Sequence, residues 1–491
     1  VIFADLSFQD KNTYAYLPNI MFVGVLGISL TFALALWAEE KKLNRIKSLI
    51  LNCGALALLL LYVFLLPKNF PEGHLSHTIQ FLLFVLASHL LVSFVAYLNA
   101  GEVNRFWQFN KDLLLRFILS GLYSGVLFAG LSIALLAIDV LMDVNVEEVR
   151  YAQLFLLIGI LFNTGFFLAG VPEKIGESTH IEPYPKPLKV FVQYLLLPLV
   201  TVYILILYAY MFKIIFQWAW PTGWVANLVL SFSIVGIFSI LLLHPIKAHS
   251  ESKWVNTFSR TFYYSLIPLV VLLLLAIYRR ISEYGVTENR YFVATLAVWL
   301  ALMVAYFIFS RDKNIKVIPI SLFVFVLFSS GGPLGAFQVS ERSQQGRLDE
   351  YLFKHEIWDG ADFGTTDQEI PFEDRKNMSS IVEYLLHTHG SESLDRYFDE
   401  PTDTLIADMP GSRTSNVLSL MGLNYVSPYA MAPDLLPRGL FYVKSSDFDR
   451  KLISTEGYDW YVPLDSFSPG SSPESLEIKG NTFQITYRDS S

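Results

Sequence analysis

Cysteine is almost missing from this 491-residue chain: the single Cys53 leaves no disulfide framework and no thiolate metal site. Charge is scarce as well. Asp, Glu, Lys and Arg supply 16% of the residues, against about 25% in an ordinary soluble domain, while hydrophobic residues reach 53%. A soluble core does not account for that balance. Signatures of catalysis are also wanting, with no G-x-S-x-G, no H-E-x-x-H and no phosphate-cradling glycine loop. His387-Thr388-His389 offers two imidazoles without a third ligand at metal spacing, so no metal site and no cofactor are expected. The stretch before Asn12 lacks the basic and apolar regions of a signal peptide. With Val1 in place of an initiator methionine, the chain reads as a fragment.

What the chain does have is long apolar runs, and they are unevenly placed. About ten stretches long enough to cross a bilayer lie near 18–38, 47–66, 78–98, 113–139, 151–171, 188–212, 225–246, 261–278, 291–310 and 316–332. None follows. In hydrocarbon every backbone amide must be satisfied within its own segment, so these runs are expected to be helices. The fold expected is an all-α polytopic membrane bundle over 1–332, followed by a soluble domain over 333–491 of mixed α/β class. Charge divides at the same place. Residues up to Gly332 carry 23 Lys and Arg against 18 Asp and Glu, net +5, and those beyond carry 13 against 26, net −13. An acidic tail of that kind suits neither nucleic acid nor an anionic lipid surface.

Orientation follows from the connections, because cytoplasmic loops retain Lys and Arg. Alternate loops hold 16 basic residues, at positions such as Lys41, Arg105, Lys186, Lys247 and Lys316; the opposite set holds only 7. The richer side is expected to be cytoplasmic, which puts the tail outside. One connection is discordant. Arg279, Arg280 and Arg290 all lie on the poorer side, within Arg279-Arg280-Ile-Ser-Glu283-Tyr284-Gly285-Val-Thr287-Glu288-Asn289-Arg290-Tyr291.

That segment is the densest polar cluster between two apolar runs. Gly285 permits a tight turn, and Arg280, Glu283, Glu288 and Arg290 can pair at a membrane surface. A solvated, salt-bridged hairpin is the plain expectation; with Tyr284 and Tyr291 the same residues form a candidate ligand or partner loop. Within the apolar runs, His89 and Asn163 are the candidate intramembrane polar groups, to be satisfied by interhelical hydrogen bonds or to line a pathway. No acid or base lies in mid-run. Gly121 and Gly125 form a GxxxG pattern expected to serve close helix packing inside the molecule. Asn104 to Asp112 mixes rings and charge just before a run, as interfacial anchors do.

In the tail, Ser379 to Tyr397 and Ser415 to Leu420 carry helical spacing. Strands are expected at 441–443, 460–462, 476–478 and 483–487, the last two as a hairpin about Lys479-Gly480-Asn481. A lone terminal hairpin is marginal, which again points to a chain that continues.

The runs Phe106-Trp107-Gln-Phe-Asn110-Lys111, Leu195 to Lys213, Tyr284-Gly-Val-Thr-Glu-Asn-Arg-Tyr291 and Gly332-Pro-Leu-Gly-Ala336 resemble the bacterial membrane proteins grouped as the DUF4153 family. The resemblance implies a bacterial inner-membrane location with a periplasmic tail. It implies no activity, and no catalytic residue is carried over. The preferred expectation is a non-enzymatic envelope scaffold or accessory subunit, embedded in the lipid bilayer, presenting the acidic domain to a protein partner. A permease with a route between the spans and a membrane enzyme acting on lipid or envelope precursors are the alternatives.

Overall fold

The computed structural model describes residues 16–67, 70, 75–99, 103–142, 146–171, 184–217, 224–245, 253–310, 313–364, 370–430, 474–478 and 481–485. The expected strands at 441–443 and 460–462 lie outside them. The chain forms two compact units, Val1–Ala430 and Met431–Ser491.

The first unit is helical. α1 (Leu17–Glu40), α2 (Arg45–Leu65) and α3 (Leu75–Phe94, ending in a 3-10 turn, Val95–Tyr97) pack together. They are followed by α4 (Val103–Met142), α5 (Glu148–Ala169) and α6 (Lys186–Gln217). Next come α7 (Trp224–Leu243), α8 (Lys253–Tyr284), α9 (Glu288–Phe309) and α10 (Val317–Ser330). Short π-helical stretches interrupt α5 at Leu156–Phe162 and α6 at Phe191–Leu196. Pro268 lies within α8, where it removes one backbone donor.

Among the described residues, eight helices are long and apolar enough to cross a membrane; the expectation was about ten. The two that fall short are α7, apolar over Leu228–Leu243, and α10, which has 14 residues. At 1.5 Å per residue α10 is about 21 Å long, less than the ~30 Å hydrocarbon core. Its neighbours nonetheless place its two ends at different levels. Beyond one end, Lys316 Nζ donates to the carbonyls of Tyr97 (2.9 Å) and Asn99 (2.6 Å), at the C-terminus of α3. At the other, Gln80 Nε2, near the start of α3, donates to Ser330 O (2.8 Å). α10 therefore runs antiparallel to α3 between the same two polar layers. The buried ammonium at Lys316 also caps carbonyls that the helix itself leaves unpaired.

The connections sort by end as their charge predicts. Asn99 donates to Glu40, Trp107 Nε1 to Leu241 O (2.8 Å) and Tyr184 to Leu242 O (3.1 Å), with the Trp107 and Tyr184 rings stacked. Five basic connections thus meet at one end of the bundle. The opposite end gathers Asn19 with Val63, Leu66 and Pro67, Gln80 with Ser330, and Tyr291 with Leu334.

Burial is concentrated where α8 packs against α9 and α7. Leu266, Leu269, Leu273, Leu300 and Phe262 are almost wholly buried, and Tyr263 stacks on Phe307 at 4.7 Å. Gly236 of α7 faces Phe262 so closely that a Cβ there would overlap the ring. By contrast α4 and α5 pack mainly on each other, and open space adjoins Gly121 and Gly125. Among the described residues the GxxxG pattern therefore does not mediate close helix packing. Phe106 and Phe109, expected at the headgroup level, are buried among α3 and its neighbours.

Beyond Gly332 the described residues of the first unit depart from the mixed α/β expectation. α11 (Ala336–Lys354), α12 (Phe372–His389), a 3-10 turn (Ser391–Tyr397), α13 (Thr402–Ile406) and α14 (Arg413–Leu420) form a helical body. α12 begins seven residues before the expected start and ends at Gly390. Its buried face is Met378, Ile381, Val382 and Leu385, at helical spacing, packed on Leu348, Leu352, Leu394, Val417, Leu418 and Met421. A single bridge, Trp358 to Phe363, is the strand-like pairing here. The second unit contains the expected hairpin, β1 (Glu474–Ile478) antiparallel to β2 (Asn481–Ile485), with Leu476 opposite Phe483.

Candidate functional site

The polar segment 279–291 does not project into solvent as a free hairpin. It lies between the ends of α8 and α9, and the helices after Gly332 close over it. Gly285, at φ +68°, takes the left-handed turn that glycine adopts without a Cβ penalty. That turn points successive backbone groups at α11. Gln344 Nε2 donates to Tyr284 O (3.1 Å) and Val286 O (2.8 Å), Val286 N donates to Ser343 Oγ (2.9 Å), and Arg347 Nη1 donates to Tyr284 O (2.7 Å). Arg290 Nη1 reaches the same Tyr284 oxygen and Gly285 O, each at 2.9 Å, and its guanidinium lies 5.4 Å from the Tyr284 ring. Tyr291 donates to Leu334 O at 2.7 Å.

At the centre is Glu288, the first residue of α9. It is 7% exposed, and among the described residues its carboxylate meets Ser340, Tyr384 and His389. Ser340 Oγ donates to Oε1 at 2.5 Å, His389 Nε2 lies 3.0 Å from the same oxygen, and the Tyr384 hydroxyl donates to Oε2. Burial pushes the Tyr384 phenol well above its ordinary range, and the bond to Glu288 pushes it further. It remains a donor throughout the physiological range. A carboxylate left alone at this depth would be costly; here both oxygens are satisfied.

Serine, histidine and glutamate in one cluster invite comparison with a nucleophile triad, and the geometry differs. In a triad the serine and the carboxylate take opposite ring nitrogens. Here Ser340, at 3.4 Å, and Glu288 approach the same Nε2. Ser340 is also fully buried. The arrangement can hold two elements together; it presents no nucleophile to solvent. Among the described residues no group of three or more His, Cys, Asp or Glu is placed to hold a metal ion.

The sequence candidates divide accordingly. Tyr284, Glu288, Arg290 and Tyr291 come together at this junction, whereas Glu283 is taken up by Arg279 at 2.7 Å and Arg280 stays exposed. His89 faces outward from α3 and uses Nδ1 on its own helix, at Val85 O (2.7 Å). Asn163 accepts from Ser124 Oγ (3.2 Å), an interhelical bond between α5 and α4. His89 and Asn163 each have a local partner. Ser340, Gln344, Arg347, Tyr384 and His389 were not singled out as site residues. The signal was available for three of them: Ser340, Gln344 and Arg347 sit at i, i+4, i+7, a polar stripe along one face of α11.

A second polar knot lies within the tail. Asp374 accepts from Lys354 Nζ (2.7 Å) and sits 2.8 Å from His355 Nε2. Burial alone would raise its carboxyl; the two hydrogen bonds outweigh that and hold it below the usual carboxylate range. Tyr397 donates to Asp349 at 2.7 Å, and burial foremost, then that bond, raises its phenol.

No solved structure matches the chain. An uncharacterised protein of Pasteurella multocida (strain Pm70) is 26% identical over 273 residues, which is 55% of this chain and 45% of that protein. The chain thus spans less than half the length of this relative. The family described as a domain of unknown function, DUF4153, matches residues 16–354, a stretch holding all ten apolar helices, the glycine turn and α11. This chain belongs to the DUF4153 family.

Proposed function

We propose that this protein is a non-enzymatic scaffold of the bacterial inner membrane, holding its acidic helical domain at the periplasmic face for a protein partner. The observation that carries the reading is the Glu288 junction, where a span and two extramembrane helices share one buried, fully occupied carboxylate. Groups this well paired favour a fixed platform over a hinge. A helical body with its own core, mounted on an end of the bundle poor in Lys and Arg, is the form a presented binding domain takes. The scarcity of basic residues in the loops at that end supports an external location, and the net charge of −13 beyond Gly332 favours a basic protein surface as the partner.

Purification of the full chain from native membranes in mild detergent, followed by mass spectrometry, tests this. A stoichiometric protein that co-migrates, and is lost when acidic residues of the tail are neutralised, is expected. A chain that runs alone and supports solute flux in vesicles would replace the scaffold with the permease, and turnover of a lipid precursor would replace it with the enzyme.

A further inference from the structure

The Glu288 carboxylate is balanced, but the arginines beside it are not. Arg290 Nη1 and Arg347 Nη1 donate to one and the same oxygen, Tyr284 O, at 2.9 and 2.7 Å, so the two nitrogens lie no more than 5.6 Å apart. Gln344 Nε2 is a third donor to that oxygen, at 3.1 Å. A carbonyl oxygen has two lone pairs, so donors exceed acceptors at this point. Among the described residues neither guanidinium has a carboxylate partner. Their other acceptors are Gly285 O for Arg290, and Glu283 O and Gln344 Oε1 for Arg347, all neutral. The acids nearby are committed, Glu283 to Arg279 and Glu288 to its own knot. Arg280 is exposed, makes no hydrogen bond among the described residues, and together with Arg347 acts electrostatically on Arg290.

Two like charges are thus held against each other by the fold, and a third stands close by, while the neighbouring carboxylates are bonded to other groups. The arrangement is built: the Tyr284 ring backs Arg290, and only glycine at 285 admits Arg347, whose Cδ would lie 2.5 Å from a Cβ there. Guanidinium forks match the paired oxygens of a phosphate. The cluster sits where α8 ends and α9 begins, between two helices each long and apolar enough to cross a membrane.

We propose that Arg290, Arg347 and Arg280 form a phosphate-binding site at this end of the bundle, occupied by the phosphate of an anionic lipid headgroup or by a free phosphate. This goes beyond the scaffold reading and does not depend on it, because a partner can be found or missed whatever the arginines bind.

The full-length protein, reconstituted in phosphatidylcholine nanodiscs with and without phosphatidylglycerol, tests it. Retained phosphatidylglycerol is counted by native mass spectrometry, and inorganic phosphate is titrated separately by calorimetry. R280Q removes an exposed side chain that makes no hydrogen bond to the protein and is expected to fold; R347Q removes a fork at the centre; R279Q, next in sequence but paired with Glu283, is the control. Selective retention of phosphatidylglycerol, weakened at least tenfold in R347Q and about threefold in R280Q but not in R279Q, supports the site with a lipid as its source. The same pattern for inorganic phosphate in phosphatidylcholine alone supports it with a free anion. Absence of binding by the unaltered protein to both probes, or binding unchanged in R280Q and R347Q, overturns it.

Discussion

Replacing Glu288 by alanine should release the helices after Gly332 from the bundle. The carboxylate is 7% exposed and serves Ser340, His389 and Tyr384, so truncation leaves three buried polar groups facing a void. A hydrogen bond to a charged group is worth about 1.5–3 kcal/mol, and such losses within one network do not add. Leaving a buried polar group without its partner costs about 1–3 kcal/mol, and with three partners affected non-additively the expected loss at this junction is about 3–5 kcal/mol. At about 1.4 kcal/mol per tenfold change, local opening should become roughly a hundredfold to several thousandfold more frequent. Hydrogen exchange on the full chain in nanodiscs reads this directly. Backbone amides of α11 around Ser340 and at the end of α12 around His389 should lose protection, while α8 and the body of α9 keep theirs. E288Q should lose less, since one acceptor oxygen survives. Protection of α11 and α12 that stays within a factor of three of the unaltered protein in E288A would refute the claim that this carboxylate holds the junction.

Other expectations follow from the same contacts. G285A forces a side chain into φ +68° and against Arg347, and should cost about 1–2 kcal/mol, seen as a lower thermal midpoint and faster exchange over 284–288. K316M should strip the carbonyls of Tyr97 and Asn99 of their buried donor and destabilise the α3–α10 pairing by about 1–3 kcal/mol, read as a lower midpoint in detergent. Asp374 has a folded-state carboxyl held below its unfolded value of about 3.9, so its contribution is complete above that pH and is lost as pH falls through the folded value. The thermal midpoint of the tail helices should therefore fall below about pH 4, and D374N should flatten that dependence while lowering the midpoint at neutral pH. In a C53A background, D408C in the exposed tail should react with a membrane-impermeant maleimide on intact cells; labelling only after lysis would place the tail inside.

How much of this was open to sequence reasoning depends on the range of the interaction involved. Helical runs are set locally, by apolar length and the need to satisfy backbone groups in hydrocarbon, so α1 to α6, α8 and α9 were legible. So was the grouping of loops, because Lys and Arg mark an end of the bundle wherever they fall; Lys41, Arg105, Lys186 and Lys316 lie beside residues that meet there. Loop 279–291 stood out as unusual because its charges broke that rule. Its partners did not, since Ser340, Gln344 and Arg347 lie about 60 residues away and Tyr384 and His389 about 100, at separations where no periodicity carries information. The partners of His89 and Asn163 were hidden for the same reason: rarity in an apolar run says that a group must be satisfied, not by whom. Helical spacing in the tail was legible at Ser379 and Ser415, but not the bounds of α12, which starts at Phe372 and stops at Gly390, nor α11, because only the packing of α12 on α11 and α14 sets them. Composition determined that this chain lives in lipid and which loops share an end. Tertiary contact alone decided that an acid at the mouth of one span, and two arginines crowding one carbonyl, would bind the extramembrane helices to the membrane bundle.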